Sequence, residues 1–439
     1  MTKPAFLQHP WKSWEAEAAD YGVKTVRGRT EYDAKARTPD ELDVLITSKN
    51  HDVKMARIGP EAAESWIYAL LLLQTTSGFL GQGNYGIVRM NGGFASRAIV
   101  AWTQSLHPSK RFIADVAAVH RLRDSVCRQY RYRPRGTVLT WLTRWDRNQH
   151  QHMLQDLEPW FIEAARPVRL TAQADGSIIA LGATSKARQI GPKTAENGDV
   201  GDPWTPLNVE DKKKGQSALT LSADGFTPQR LTALLFEDGF QLTPLQKPQP
   251  GDGPGWLVAS CLVRGQGKTE GLHRIELPVP PKARMALFKK ESRELLAHLA
   301  QCLLIDAKDV QKALYTALTV LVEGGPDKTD FDRDAVESWL KQARTDLAQR
   351  WAVAYFDHLW RGADEDHAAI RQDWQQRLVN LAQALLDEAA MRLPLPSNRY
   401  WRAIIRAQSA LHGMLHKQGL PLPTTATTEP TDLIEETVA

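Results

Sequence analysis

Residues 256–303, WLVASCLVRGQGKTEGLHRIELPVPPKARMALFKKESRELLAHLAQCL, contain the point at which the chain changes character. Trp256–Val263 and Leu272–Leu277 have strand patterning, and the glycines of RGQGKTEG between them mark a loop. From Pro281 the apolar period becomes that of a helix, with Leu295, Leu299 and Leu303 recurring on one face. The pattern continues downstream in Leu314, Ala317 and Leu321; Trp339, Leu347 and Trp351; Leu378, Leu381 and Leu385; and Trp401, Ile404, Leu411 and Leu415. The breakers EGGPDKTD and RLPLPSN separate these runs, which predicts a four-helix bundle over 281–418. Residues 419–439, ending in TTEPTDLIEETVA, predict a disordered acidic tail.

Upstream the patterns are mixed. PEAAESWIYALLLLQTT (60–76) predicts a helix with Pro60 in its first turn and Trp66, Leu70 and Leu73 on one face. The following 77–97 window holds six glycines and cannot continue that helix. Residues 97–103 read as a strand. Residues 167–181 read as a hairpin about Asp175-Gly176. Residues 191–215 read as a loop ending in Lys212, Lys213 and Lys214. The expected fold class is therefore α+β, with a mixed α/β globular domain over 1–280 followed by the bundle.

The chain has 439 residues, 42% apolar and 24% charged, the composition of an ordinary folded protein. No apolar run approaches the ~18 residues of a membrane span, and MTKPAFLQHP has no apolar signal core, so a cytoplasmic protein without a membrane partner is expected. The three cysteines, Cys127, Cys261 and Cys302, form no CxxC, which predicts reduced thiols and no metal site. Net charge is only +4, yet eight arginines fall between Arg121 and Arg147, among them Arg128, Arg131, Arg133 and Arg135. This run reads either as a face for an anionic partner or as a solvated helix face.

Catalytic motifs are incomplete. GQGNYG (81–86) matches GxGxxG, but a helix precedes it and extended chain follows, the reverse of a dinucleotide site. GQGKT (265–269) resembles the end of a phosphate loop, yet Leu262 stands where the first glycine belongs and a strand follows. His150 and His152 read as exposed histidines. No GxSxG or HExxH is present. The expectation is a non-enzymatic protein without a cofactor; the alternative is a stand-alone nucleotide-dependent enzyme or nuclease using a glycine loop as its phosphate site. Glycine loops let a backbone approach a ligand closely, so Gln82, Asn84, Lys268 and Thr269 are candidates to reach a nucleic-acid groove.

Several strings together resemble a known family: PAFLQ (4–8), DVLITSKNHDVKMARI (43–58), GFLGQGNYGIVRMNGGFASR (78–97), VRGQGKTEGLHRIELPVP (263–280) and KALYT (312–316). They are similar, in order and over nearly the whole chain, to CasA, the large subunit of the type I-E CRISPR Cascade complex. The resemblance implies an α/β domain with a C-terminal four-helix bundle. It also implies recognition of the protospacer-adjacent motif in double-stranded DNA, nucleation of R-loop opening, and recruitment of a separate helicase–nuclease for antiviral defence. The implied partners are the Cascade backbone and small subunits, crRNA, duplex target DNA and the effector nuclease. By position, Gly81, Gln82, Gly83 and Asn84 match the family's minor-groove loop, and Lys268, Thr269, Glu270 and Gly271 its wedge loop. The candidates for nucleic-acid backbone contact are Lys49, Asn50, His51, Lys54, Arg89, Asn91, Arg97, the four arginines above and Lys212–Lys214; of these, the resemblance itself implies a contact only for the Lys212–Lys214 run. Two departures stand out: the family's longer portion before the PAFLQ-like string, and the Glu270 at the wedge.

Overall fold

The computed structural model describes residues 3–10, 33–42, 62–77, 83–90, 96–143, 145, 152–183, 185, 190–191, 197–209, 215–265, 268–327, 329, 334–393 and 397–424. Most of the expected acidic tail, from 425 onward, lies outside them. The chain divides into two compact units, Met1–Val279 and Pro280–Ala439.

The first unit mixes helices and small sheets. Its elements in order are β1 (Asp33–Ala36), α1 (Pro39–Leu42), α2 (Ala63–Thr76), β2 (Ile99–Thr103), α3 (Pro108–Tyr130), β3 (Thr137–Leu139), β4 (His152–Met153), β5 (Leu157–Ile162), β6 (Val168–Ala172), β7 (Ile178–Gly182), β8 (Ile190–Gly191), β9 (Leu207–Asn208), β10 (Ser217–Ala218), α4 (Pro228–Phe236), β11 (Phe240–Gln241), β12 (Gly255–Gly265) and β13 (Lys268–Val279). Helix α2 buries Trp66, Leu70 and Leu73, the predicted face, among Leu7, Trp141, Val168 and Ala180. Strands β6 and β7 form the predicted hairpin: Gly176 sits at φ +83°, and the Asp175 carboxylate accepts from the Ser177 amide and hydroxyl. Strand β1 completes that sheet in the order β1-β7-β6. A second sheet, β13-β12-β2, is antiparallel throughout.

The second unit is helical: α5 (Pro281–Phe288), α6 (Lys290–Val322), α7 (Asp334–Arg361), α8 (His367–Arg392) and α9 (Ser397–Lys417). Helix α6 is one continuous rod that carries both leading apolar sets. It buries Leu296, Leu299, Ala300, Leu303, Ala307 and Val310, so the core stripe begins at Leu296 and the expected Leu295 points to solvent. Trp401, expected on the buried face of α9, is exposed, and Ala403, Ala407, Leu411 and Leu415 hold that face instead. Trp351, Tyr355 and Trp374 pack edge to face at the centre, and the Trp374 indole donates to the Leu303 carbonyl at 2.9 Å. Among the described residues no helix is long and apolar enough to cross a membrane.

Candidate nucleic-acid interface

Strands β12 and β13 make a long hairpin in which Gly265 lies opposite Lys268, so only Gln266 and Gly267, both outside the described residues, connect them. The strands run further than the sequence patterning predicts: Lys268, Thr269 and Glu270 belong to β13 rather than to an open loop. Val263 pairs with Gly271 and Arg264 with Thr269, which leaves Glu270 as the extra residue of a β-bulge. Gly271, at φ +143°, provides backbone that other residues rarely adopt. The hairpin is clamped close to its turn. The Arg264 amide donates to Ser96 Oγ at 3.0 Å, and the Arg264 guanidinium reaches Thr76 Oγ1 at 3.2 Å. Leu272, just past the bulge, is 71% exposed. A phosphate loop needs a helix after the glycines. GQGKT runs into a strand, so this loop lacks the geometry of a phosphate loop.

From Gly83 onward the glycine segment is held by backbone pairing. The Ser185 amide donates to the Gly83 carbonyl at 2.8 Å, the Tyr85 amide donates to the Ser185 carbonyl at 3.3 Å, and Ile87 and Ala164 exchange bonds at 3.0 and 2.9 Å. Gly83 has φ +95°, a conformational reason for glycine that is independent of any ligand. Gly86 is a packing glycine, since a Cβ there would lie 2.4 Å from the Ala165 carbonyl oxygen. Gly83, Asn84 and Tyr85 are half-buried. Gly81 and Gln82 lie outside the described residues, as do Lys49, Asn50, His51, Lys54, Asn91 and Lys212–Lys214.

Arg89 and Arg97, expected among the phosphate contacts, are committed to the interior. Arg89 lies over the Phe161 ring at 4.1 Å and donates to the carbonyls of Pro159 and Phe161. Arg97 pairs with Glu163 at 2.6 Å and Asp202 at 3.1 Å. Both side chains are nearly inaccessible, and opposite charges already neutralise them, so the structure gives them a structural task.

The other four arginines are displayed. Helix α3 ends with Arg131 in the left-handed conformation at φ +59°. Tyr132 then turns inward and donates to the Val200 carbonyl at 2.8 Å, while the Arg133 amide donates to the Leu157 carbonyl at 3.0 Å. Gly136 closes a turn onto the Arg133 carbonyl, its α-carbon packed against the Leu157 backbone. Arg135 sits at φ +66°. Arg128, Arg131, Arg133 and Arg135 are all exposed, and none has a carboxylate partner among the described residues. Arg123, by contrast, is spent in a bidentate pair with Glu158 at 2.5 and 2.9 Å.

His152, expected to be exposed, is buried on β4, and burial lowers its pKa. His150 lies outside the described residues. His9 lies close enough to His152 to feel its charge and is itself pushed down to about 4, mainly by burial. Among the described residues no three His, Cys, Asp or Glu side chains gather into a metal site.

No protein-family model and no curated protein sequence matches the chain. Solved structures do. The crystal structure of CasA from Thermus thermophilus is 14% identical, with a TM-score of 0.59 over 95% of this chain and 79% of that one. The CRISPR-associated protein Cse1 from Acidimicrobium ferrooxidans is 13% identical, with a TM-score of 0.56 over 90% of this chain and 78% of that one. A chain from a CRISPR RNA-guided surveillance complex is 16% identical, with a TM-score of 0.52 over 91% of this chain and 81% of that one. The chain therefore has the CasA (Cse1) fold, an α+β body with C-terminal helices, in line with the resemblance read from its strings.

Proposed function

We propose that the chain is the large, non-catalytic subunit of a crRNA-guided type I-E Cascade surveillance complex, working in the cytoplasm beside the backbone and small subunits. In this reading Gly81–Asn84 contacts the protospacer-adjacent motif from the minor groove, where A·T and G·C pairs differ chiefly by the guanine amino group. The β12–β13 hairpin, with Lys268–Gly271 at its end, enters beside the motif and starts the opening of the duplex. Stacking lost there, about 1.4 kcal/mol per step, is nearly offset by guide pairing, so no ATP is required. Arg128, Arg131, Arg133 and Arg135 hold phosphates, and a separate helicase–nuclease cuts the opened DNA. The observation that carries the proposal is the CasA fold over 95% of the chain.

The test is the assembled complex carrying Gln82→Ala with Asn84→Ala, or Lys268→Ala with Thr269→Ala. These positions avoid the backbone strain that any replacement of Gly83 brings at φ +95°. Affinity for duplex with the motif is expected to fall by about tenfold or more, the scale of one or two groove contacts. Binding of duplex without the motif, and of single-stranded target, should stay within about twofold of the parent, since neither presents a motif groove to read. Equal losses on all three substrates would reject the reading.

A further inference from the structure

Strand β2 pairs with β12 from Trp256 to Ser260 and stops there. Cys261–His273 is the next pair of the β12–β13 ladder, so from this rung to the turn the hairpin runs on as a ribbon of two strands. Such a ribbon is marginal by itself and twists more strongly than a wider sheet. Strand β12 is held almost at the turn, through Arg264 on Ser96 and Thr76. Strand β13 carries the extra residue of the bulge, so pairing with β12 does not by itself fix how Lys268–Gly271 are turned about the strand axis. That strand needs a hold of its own. Leu272, Arg274 and Glu276 face solvent, while His273, Leu277 and Val279 alternate with them on the inward side.

The inward side of β13 meets the loop 222–226 through His273. That loop is fixed at both ends. Before it, the Leu221 amide donates to the Ser96 carbonyl at 3.0 Å, on the same residue that holds Arg264. After it, Thr227 caps α4 by accepting the Arg230 amide at 3.3 Å. Within it, the Gly225 amide donates to the Ser222 carbonyl at 3.0 Å, and Phe226 is buried. Gly225 takes φ +65°, and a Cβ there would lie 2.2 Å from His273 Nδ1 and 2.7 Å from its Cγ. The imidazole edge thus rests directly on glycine backbone. The Nε2 corner lies toward the bulge, 3.5 Å from where a Cβ of Gly271 would stand. The ring therefore fills the space between a fixed loop and the positive-φ glycine that follows Glu270. Its Nε2 is buried without a hydrogen-bond partner among the described residues, so size and flatness, not a hydrogen bond, hold that corner.

We propose that His273 is the positioning residue of the hairpin: wedged between Gly225 and Gly271, it sets how the bulged strand is turned, and so where Lys268–Gly271 meet the duplex. The inference rests on the reading of the hairpin as the element that starts duplex opening. It adds that the aim of the hairpin is built into the fold before DNA arrives, by a side chain that acts through the strand and not on the DNA.

The test begins with hydrogen exchange on the full chain. His273→Ala empties the space, and the amides of residues 268–272 should exchange about tenfold faster while the β6–β7 hairpin keeps the parent's rates. His273→Gln, close in size and flat at its end, should restore most of that protection. The same variants then go into the assembled complex, with 2-aminopurine beside the motif reporting strand separation. His273→Ala should slow the opening of closed duplex about tenfold, as expected when a positioning contact is lost. Its binding to a duplex already mismatched beside the motif should stay within about twofold of the parent, since little is left to open. His273→Gln should open closed duplex at close to the parent's rate. Unchanged exchange over 268–272 in His273→Ala overturns the proposal. So does exchange that rises equally in β6–β7, or an equal loss on closed and mismatched duplex, either of which would make His273 a general core residue. Opening that is unchanged in His273→Ala but slowed by Lys268→Ala with Thr269→Ala overturns it too, and leaves the hairpin's role intact. Opening unchanged in both would remove the hairpin's role, and that of His273 with it.

Discussion

Gln74 is fully buried at the end of α2, and its amide joins three strands of chain: Nε2 donates to the carbonyls of Leu7 (3.0 Å) and Arg166 (2.8 Å), and Oε1 accepts the Arg166 amide (2.8 Å). Arg169 reaches the carbonyls of Gln8 and His9, and the Leu170 amide donates to Gln8 Oε1 at 2.7 Å. The Leu7–Gln8 end of the PAFLQ string is thus a piece of interior stitching, and Leu7 takes φ +55° to make it. His9 belongs to the same layer. Its Nδ1 faces the Thr143 carbonyl at 2.8 Å, its ring packs on Trp145, and burial pushes its pKa down to about 4. Because the folded value lies below the ordinary 6.5, the imidazole is neutral in both states above pH 6.5 and costs nothing there. Between pH 6.5 and about 4 the unfolded chain takes up a proton that the fold refuses. Stability should fall by about 1.4 kcal/mol per pH unit, to a total of about 3 kcal/mol. His152 shifts in the same direction and adds to the slope. Urea midpoints measured from about pH 7.5 to about 4.5 should therefore decline, and His9→Gln should flatten part of that decline. An unchanged slope would remove His9 from the account. None of this is legible in the sequence. A histidine or glutamine on a polar-looking stretch carries no period, and only the partners reveal that it is inside.

At the scale of elements, legibility follows burial. The bundle helices, α2 and the β6–β7 hairpin bury regular faces, so their periods of 3.6 and 2 appear in the residues. Even there the expected stripe on α6 starts one residue early, because Leu295 and Leu296 adjoin and only packing chooses between them. Helix α3 buries almost nothing: Cys127 is its one buried residue, while Phe112, Ile113 and Val116 point to solvent. Its apolar residues recur at helical spacing in the sequence, but that spacing does not say whether the stripe meets a core. The arginine run is legible as charge, but sequence does not separate Arg123, locked on Glu158, from the exposed Arg128–Arg135 group. Nor does it separate Arg89 and Arg97, which answer Glu163 and Asp202 from far along the chain. The glycines of 81–86 are legible as glycines, whereas the split into Gly83 for conformation and Gly86 for packing is not. The division of the arginines predicts an outcome. Alanine at Arg131, Arg133 and Arg135 should lower the salt slope of nucleic-acid binding by about 2 to 3, at about 0.7–0.9 per lost phosphate contact, with the thermal midpoint unchanged. An unchanged slope would make this turn a protein contact or a solvated face.

For the molecule as a whole, the division at Val279–Pro280 bears on how it unfolds. Each unit has its own core: Trp66, Leu70, Val168 and Ala180 lie at the centre of one cluster before the boundary, and the Trp351–Tyr355–Trp374 group lies after it. Units with separate cores need not melt together, so a single two-state transition is not required. Each unit also has its own buried electrostatic weak point. In the second it is Asp306, 3% exposed, whose carboxylate is held by both arms of Arg371 at 2.8 Å. Removing Arg371 leaves that carboxylate buried and unpaired, a loss of about 3–5 kcal/mol. At about 2–4 °C per kcal/mol for a unit of this size, Arg371→Ala should lower one calorimetric transition by about 10 °C. Acidification from about pH 7.5 to about pH 5 should act mainly on the other transition, through His9 and His152. Asp306→Asn in the Arg371→Ala background removes the stranded charge and should recover part of the lost stability. Scanning calorimetry of the full chain, parent and variants, at both pH values separates the possibilities. Two transitions that answer separately, one to Arg371 and the other to acid, would establish that the units fold on their own. A single transition that moves with both perturbations would mean that the chain folds as one cooperative body and that the boundary at Pro280 is only geometric.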